Sequence, residues 1–284
     1  MSMVDYDNYE EEFSVKSTLS RCSWVFSELL PIVVGLTLMA EAIGFLGDLM
    51  GSFGGILGIA GTVIGLATQG SISLAIVKNY QEREVEFKEC LSKGVCRLPT
   101  LLLACLLIFL IVVALSIPVS IIFVVTRSLS LNSLFMAIVV VGLAGFAFWL
   151  FAMLSLTIQI IVVEELGAIE AMRRSKELTK GHRGSIMFLY FLIFALVIVL
   201  MYVGYLIFGA MFSLPNLASV EGFQQFAFKL DAEGGSMSVM FYLIIFIITS
   251  VSRVFSNVMG GAIYLELLIV KADKDIDEMA QVFE

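Results

Sequence analysis

Histidine is all but missing from this chain: His182 is the only one in 284 residues. Its scarcity excludes histidine-based metal centres and multi-histidine catalytic constellations, and neither a Walker-type glycine loop nor a nucleophile elbow is present. His182 follows Gly181 at the end of a basic segment, where a capping or interfacial role is expected. Charge is scarce too, at 15% of residues against about a quarter in soluble domains. Cysteine is limited to Cys22, Cys90, Cys96 and Cys105. The spacing of Cys90 and Cys96 fits no zinc or redox pattern, and all four are read as free thiols in a reducing compartment. No catalytic residue, metal or cofactor is expected.

What fills the chain instead is apolar sequence. Sixty per cent of residues are hydrophobic and the mean hydropathy is +1.00, so the solvent for this chain is lipid. A hydrocarbon layer of ~30 Å needs roughly 20 apolar residues per helix. Stretches at 29–47, 53–77, 100–126, 134–163, 185–212 and 237–270 meet that requirement, which predicts an all-α, six-span membrane protein. The first stretch lacks a positively charged segment at Met1 and is too long for a cleavable signal, so it is expected to remain as a span. The fourth is overlong. The sixth, which contains Ser250, Ser252, Arg253, Gly260 and Gly261, would run ~50 Å as one helix, and a kink or an interfacial first segment is expected there.

Basic residues are confined to one set of connections. Lys16 and Arg21 precede the first span, Lys78, Arg83, Lys88, Lys93 and Arg97 follow the second, Arg173, Arg174, Lys176, Lys180 and Arg183 follow the fourth, and Lys271 and Lys274 follow the sixth. The opposite connections carry only Arg127 and Lys229. The positive-inside rule then places both termini in the cytoplasm and the protein in the cytoplasmic (inner) membrane as a multi-pass chain. The net charge of -8 reflects in part Asp5, Asp7, Glu10, Glu11 and Glu12. Residues 1–12 read as an acidic, solvated tail, 13–272 as one membrane domain and 273–284 as a second short cytoplasmic tail.

The basic segments resemble one another. Ser17-Thr18-Leu19-Ser20-Arg21-Cys22, Glu89-Cys90-Leu91-Ser92-Lys93-Gly94 and Glu170-Ala171-Met172-Arg173-Arg174-Ser175 each place Leu or Met two residues before a basic one. Apolar residues recur around them at helical spacing, which predicts short amphipathic helices near 13–28, 82–97 and 166–181. Each precedes a pair of spans, so the architecture reads as an interfacial helix plus a helix pair, three times over. Arg21, Lys93, Arg173, Arg174 and Lys180 are candidates for anionic lipid headgroups or a membrane-protein partner. The bland alternative is that these helices only anchor the bundle. No nucleic-acid partner is expected.

Charges inside a span are costly and often functional. Glu41 lies ~18 Å into the first span and Arg253 ~25 Å from the end of the last, and an ion pair between them is expected to close the bundle. A mid-membrane anion site at Arg253 is the alternative. Gln69, Gln159 and Asn257 are expected to be interhelical hydrogen-bond partners. Gly51, Gly54, Gly55, Gly58, Gly61, Gly65 and Gly70 in span two permit close helix approach. On the other face, Val220, Phe223, Ala227 and Leu230 suggest a short interfacial element.

Residues 162–181 carry a recognisable pattern. Val162-Val163-Glu164, Ala171-Met172-Arg173-Arg174-Ser175 and Glu177-Leu178-Thr179-Lys180-Gly181 resemble the signature of YciC-like proteins and of the membrane domain fused to some glycerophosphodiester phosphodiesterases, and more distantly Yip1-type domains. The similarity runs weakly from Phe13-Ser14-Val15 to Ile117-Pro118, but Val119 stands where the family commonly has glycine, and Gln159 and Ile160 where it often has proline. The resemblance implies a six-span, non-enzymatic envelope or lipid-associated component. In it Glu164 is expected to pair with Arg173 or Arg174 and hold the third interfacial helix to the bundle. A transporter or permease component with a polar site around Arg253 is the competing expectation.

Overall fold

The computed structural model describes residues 13–50, 54–128, 133–211 and 236–282, all of the regular structure among them being helical. The acidic stretch 1–12, Gly51 and the segment holding Val220, Phe223, Ala227 and Leu230 lie outside the described residues. Among the described residues nine helices follow in order: α1 Val15–Leu49, α2 Gly54–Tyr80, α3 Phe87–Cys96, α4 Leu98–Ser128, α5 Ser133–Leu154, α6 Thr157–Val163, α7 Ala168–Leu178, α8 Arg183–Met211 and α9 Ser236–Val282. Among the described residues five helical segments are long and apolar enough to cross a membrane, and α3 with α4, bent by 54° at their junction, makes a sixth when counted as one span. The chain is an all-α multi-pass membrane protein.

α1 and α2 form an antiparallel hairpin in which small residues let the backbones meet. A Cβ at Gly61 would stand 2.9 Å from the backbone nitrogen of Gly44 and 3.3 Å from the carbonyl oxygen of Ala40, which is why only glycine fits. α9 runs parallel to α2, with Arg253 beside Gly65 and Gly261 beside Ser73 and Ile76. The buried side chains gather at the end where the basic connections lie, around Val25, Leu29, Ile72, Ile76, Leu156, Ile160, Ile186, Ile263 and Tyr264. The opposite halves of α4 and α8 present Phe109, Leu110, Ile117, Val203 and Ile207 outward, as spans facing lipid do.

The structure departs from the predicted elements in three places. The first interfacial helix expected near 13–28 is not separate. It continues through Pro31 into the span as α1, because Thr18, Cys22, Val25, Leu29, Val33, Leu36 and Ala40, buried at steps of three and four, form one unbroken inward stripe. The fourth span is divided at residues 155–156 into α5 and α6. The sixth stays helical for 47 residues, ~70 Å, and takes in most of the tail expected at 273–284.

The division of span four leaves backbone carbonyls without helical partners in an apolar layer, which is tolerated only when side chains satisfy them. Ser155 Oγ donates to the Ala152 carbonyl (3.0 Å), Ser175 Oγ of α7 to Met153 (2.8 Å) and Thr157 Oγ1 to Leu154 (2.8 Å). With its amide turned over so that the nitrogen faces the break, buried Gln159 donates to the carbonyls of Ser155 (3.0 Å) and Leu156 (3.1 Å).

The second and third interfacial helices, α3 and α7, are built alike. Each follows a span whose end is marked by a glutamate in the left-handed region, Glu82 and Glu165, both with φ 56°. At the first, the Glu82 N–H donates to the Asn79 carbonyl (3.1 Å) and the Arg83 N–H to Lys78 (3.0 Å), the paired bonds of a Schellman cap. α3 then turns its buried face, Cys90 and Gly94, onto α2. A Cβ at Gly94 would overlap the Ser71 hydroxyl and stand 2.6 Å from the Ala67 carbonyl oxygen. Gly94→Ala is therefore expected to lower stability in detergent by about 1–3 kcal/mol, the usual range for overpacking, measurable by thermal unfolding against Gly55→Ala, whose site is open.

Candidate functional site

The basic end of the bundle is held by carboxylates, and two consecutive ones do most of the joining. Glu164 caps α6 and accepts from Tyr264 Oη of α9 at 3.0 Å and from Arg174 Nε of α7 at 3.3 Å. Glu165, one residue on and turned by its positive φ, accepts from Arg97 Nη2 at 2.7 Å and lies 3.6 Å from Lys93 Nζ. α6, α7, α9 and the α3–α4 junction meet at these two residues.

Another carboxylate ties the first helix to the last. Glu266 of α9 is buried and accepts from both Ser17 Oγ and Arg21 Nε of α1, while the Arg21 guanidinium lies 5.5 Å from the centre of the Tyr80 ring. A further pair, Lys78 Nζ to Glu89 Oε2 at 2.6 Å, joins α2 to α3. The hydrogen bond from Lys78 holds the Glu89 carboxyl below its ordinary value of 4.5. The ring of His182 packs 5.6 Å from that of buried Phe13, and the His182 backbone N–H donates to the Thr179 carbonyl at 3.2 Å.

These contacts sort the five cations proposed for lipid or partner binding. Arg21, whose side chain is 17% exposed, is taken up by Glu266, Arg174 by Glu164, and Lys93 faces Glu165. Arg173 and Lys180 are exposed and form no ion pair among the described residues. Lys176, not among the five candidates, is exposed on the same side of α7. Sequence reasoning also passed over Glu165, Tyr264 and Glu266. Glu266 carried the same signal as Glu41, an acid within an apolar run, whereas Tyr264 has no local mark because its partner lies 100 positions away.

Deeper in the membrane, Arg253 Nε and Glu41 Oε1 are 3.3 Å apart, with side chains 53% and 17% exposed. One turn toward the basic end, Asn257 Nδ2 donates to Thr37 Oγ1 at 3.4 Å. Buried Ser250 Oγ, one turn the other way, has no hydrogen-bond partner among the described residues. The pair, with Arg253 beside Gly65 of α2, lies about 13 residues of that helix from Lys78, or ~20 Å.

Comparison with family models, curated proteins and solved structures finds no match to this chain.

Two measurements check this electrostatic frame. Glu41→Gln and Arg253→Gln are each expected to destabilise the protein, with a coupling on the order of 1 kcal/mol in a double-mutant cycle; additive effects would remove the pair as a stabilising contact. Because the folded-state pKa of Glu89 is depressed, its contribution is present above 4.5 and is lost as pH falls through the lower folded value. Glu89→Gln is therefore expected to flatten the acid limb of the pH–stability curve while lowering stability at neutral pH.

Proposed function

We infer that this is a non-catalytic integral membrane protein of the cell envelope whose basic end lies at the cytoplasmic face of the inner membrane and engages anionic lipid headgroups or a membrane-protein partner. One observation carries the reading. α7 docks its inner stripe, Ala168, Ala171, Ser175 and Leu178, into the bundle and turns Ile169, 70% exposed, outward with Arg173, Lys176 and Lys180. An apolar residue beside cations on an interfacial helix suits insertion among anionic headgroups. Internal ion pairing leaves these three basic residues facing outward. The asymmetry of Lys and Arg supports the cytoplasmic orientation, and the resemblance to YciC-like proteins supports a lipid-associated role without catalysis.

A transport role is the second reading, favoured by the half-exposed guanidinium of Arg253 within the membrane layer. It requires a water-filled path to that side chain.

Lipid retained through purification in mild detergent and identified by mass spectrometry tests the first reading. With a surface cation contributing about 1 kcal/mol toward an anionic membrane, Arg173→Gln and Lys180→Gln are each expected to lower anionic lipid retention about fivefold. Retention unchanged in the double variant would refute the headgroup role.

A further inference from the structure

Beside the Glu164–Glu165 junction lies a cavity of about 190 Å³ lined by Ser92, Lys93, Cys96, Arg97, Val162 and Glu165. Sites for drug-sized ligands begin near ~300 Å³, so this one takes a single small group. Two cations set the sign of that group. Lys93 and Arg97 are four residues apart and share a side of the helix end. One offers a compact point charge and the other a planar fork of donors, a combination suited to an oxyanion with several acceptor oxygens.

At present Glu165 supplies the only carboxylate in the cavity, and it serves the two cations unequally. Its Oε2 is 2.7 Å from Arg97 Nη2, a charge-assisted hydrogen bond, whereas Lys93 Nζ stands 3.6 Å from Oε1, beyond the ~2.7–2.9 Å of such bonds. Two positive charges against one negative leave the cavity cationic. The Glu165 side chain is 52% exposed, and its backbone is held at φ 56°, a conformation that side-chain-bearing residues seldom adopt.

We propose that this cavity binds the phosphate of an anionic lipid headgroup, with the Glu165 carboxylate as its built-in competitor. The proposal rests on the lipid-facing reading of the basic end and narrows it to a phosphomonoester. A terminal phosphate carries about −1.5 to −2 charge at neutral pH and accepts from Arg97 and Lys93 together, while a diester brings a single negative charge. A lipid is the source that fits. α4 begins one residue after Arg97 and turns Leu102, Leu106 and Phe109 outward at steps of four and three, an apolar face open to acyl chains within reach of the cavity.

Native mass spectrometry of the purified protein, titrated with phosphatidic acid and with phosphatidylglycerol of the same acyl chains, tests it. The wild type is expected to prefer phosphatidic acid, and Lys93→Gln to abolish that preference. Glu165→Gln and Glu165→Gly are each expected to raise phosphatidic acid affinity about fivefold. The glycine variant keeps the positive-φ turn unstrained, so a gain in both is not a folding effect. Unchanged or weaker binding in both Glu165 variants, or a preference that survives Lys93→Gln, overturns the proposal. Inorganic phosphate binding as tightly as the lipid overturns the lipid assignment. If Arg173→Gln weakens both lipids while the Lys93 and Glu165 variants alter neither, the cavity site falls and the wider headgroup reading stands; if no variant alters binding, both fall.

Discussion

The arrangement at the packed end of this protein depends first on two carboxylates placed where α6 stops. Glu164 and Glu165 sit just past the last turn of α6 and reach α9, α7 and the α3–α4 junction through Tyr264, Arg174, Arg97 and Lys93. Apolar burial cannot do this work between spans, since lipid tails are as apolar as leucine and offer no net gain on exclusion. Directional charge-assisted bonds, at a depth where water still reaches part of each side chain, give the helices a defined arrangement without leaving a bare charge in hydrocarbon. Glu266 with Ser17 and Arg21 applies the same solution between α1 and α9.

The polar groups inside the bundle follow a related economy. Hydroxyls bond to carbonyls of their own helix, as Thr68 does to Gly65, Ser71 to Ala67 and Ser252 to Ile248. The longer side chains either close the break in span four or pair across helices. Glycine decides how near the backbones come, at Gly61 between α1 and α2 and at Gly94 between α2 and α3. An amphipathic helix docked in this way is part of the core, not a raft lying on it.

Much of the architecture was legible in the sequence because lipid imposes coarse rules. Apolar length marked the spans, and the basic clusters marked the segments that became α3 and α7. The Glu41–Arg253 contact was also within reach, since an isolated charge in an apolar run has few places to find its opposite. What escaped prediction depended on packing. The merging of the first amphipathic segment into α1 follows from a buried stripe that passes through Pro31, a residue that by local rules argues for interruption. The break after Leu154 is stabilised by Ser175, which lies 22 positions from the carbonyl it bonds. The role of Arg21 was obscured for the same reason: sequence shows that a residue is basic but not whether a carboxylate such as Glu266 has already claimed it.

The break in span four has a mechanical consequence. A continuous apolar helix in a bilayer can slip along its axis at little cost, because each new position presents lipid with much the same surface. Here, carbonyls at residues 152–154 are held by Ser175 of a neighbouring helix and by Ser155 and Thr157 nearby, and the Ser175 bond is lost by any sliding of α5 and α6 past α7. The interruption thus acts as a depth stop: it fixes how far the two glutamates at the end of α6 stand from the hydrocarbon, and with them the plane of the whole charged layer.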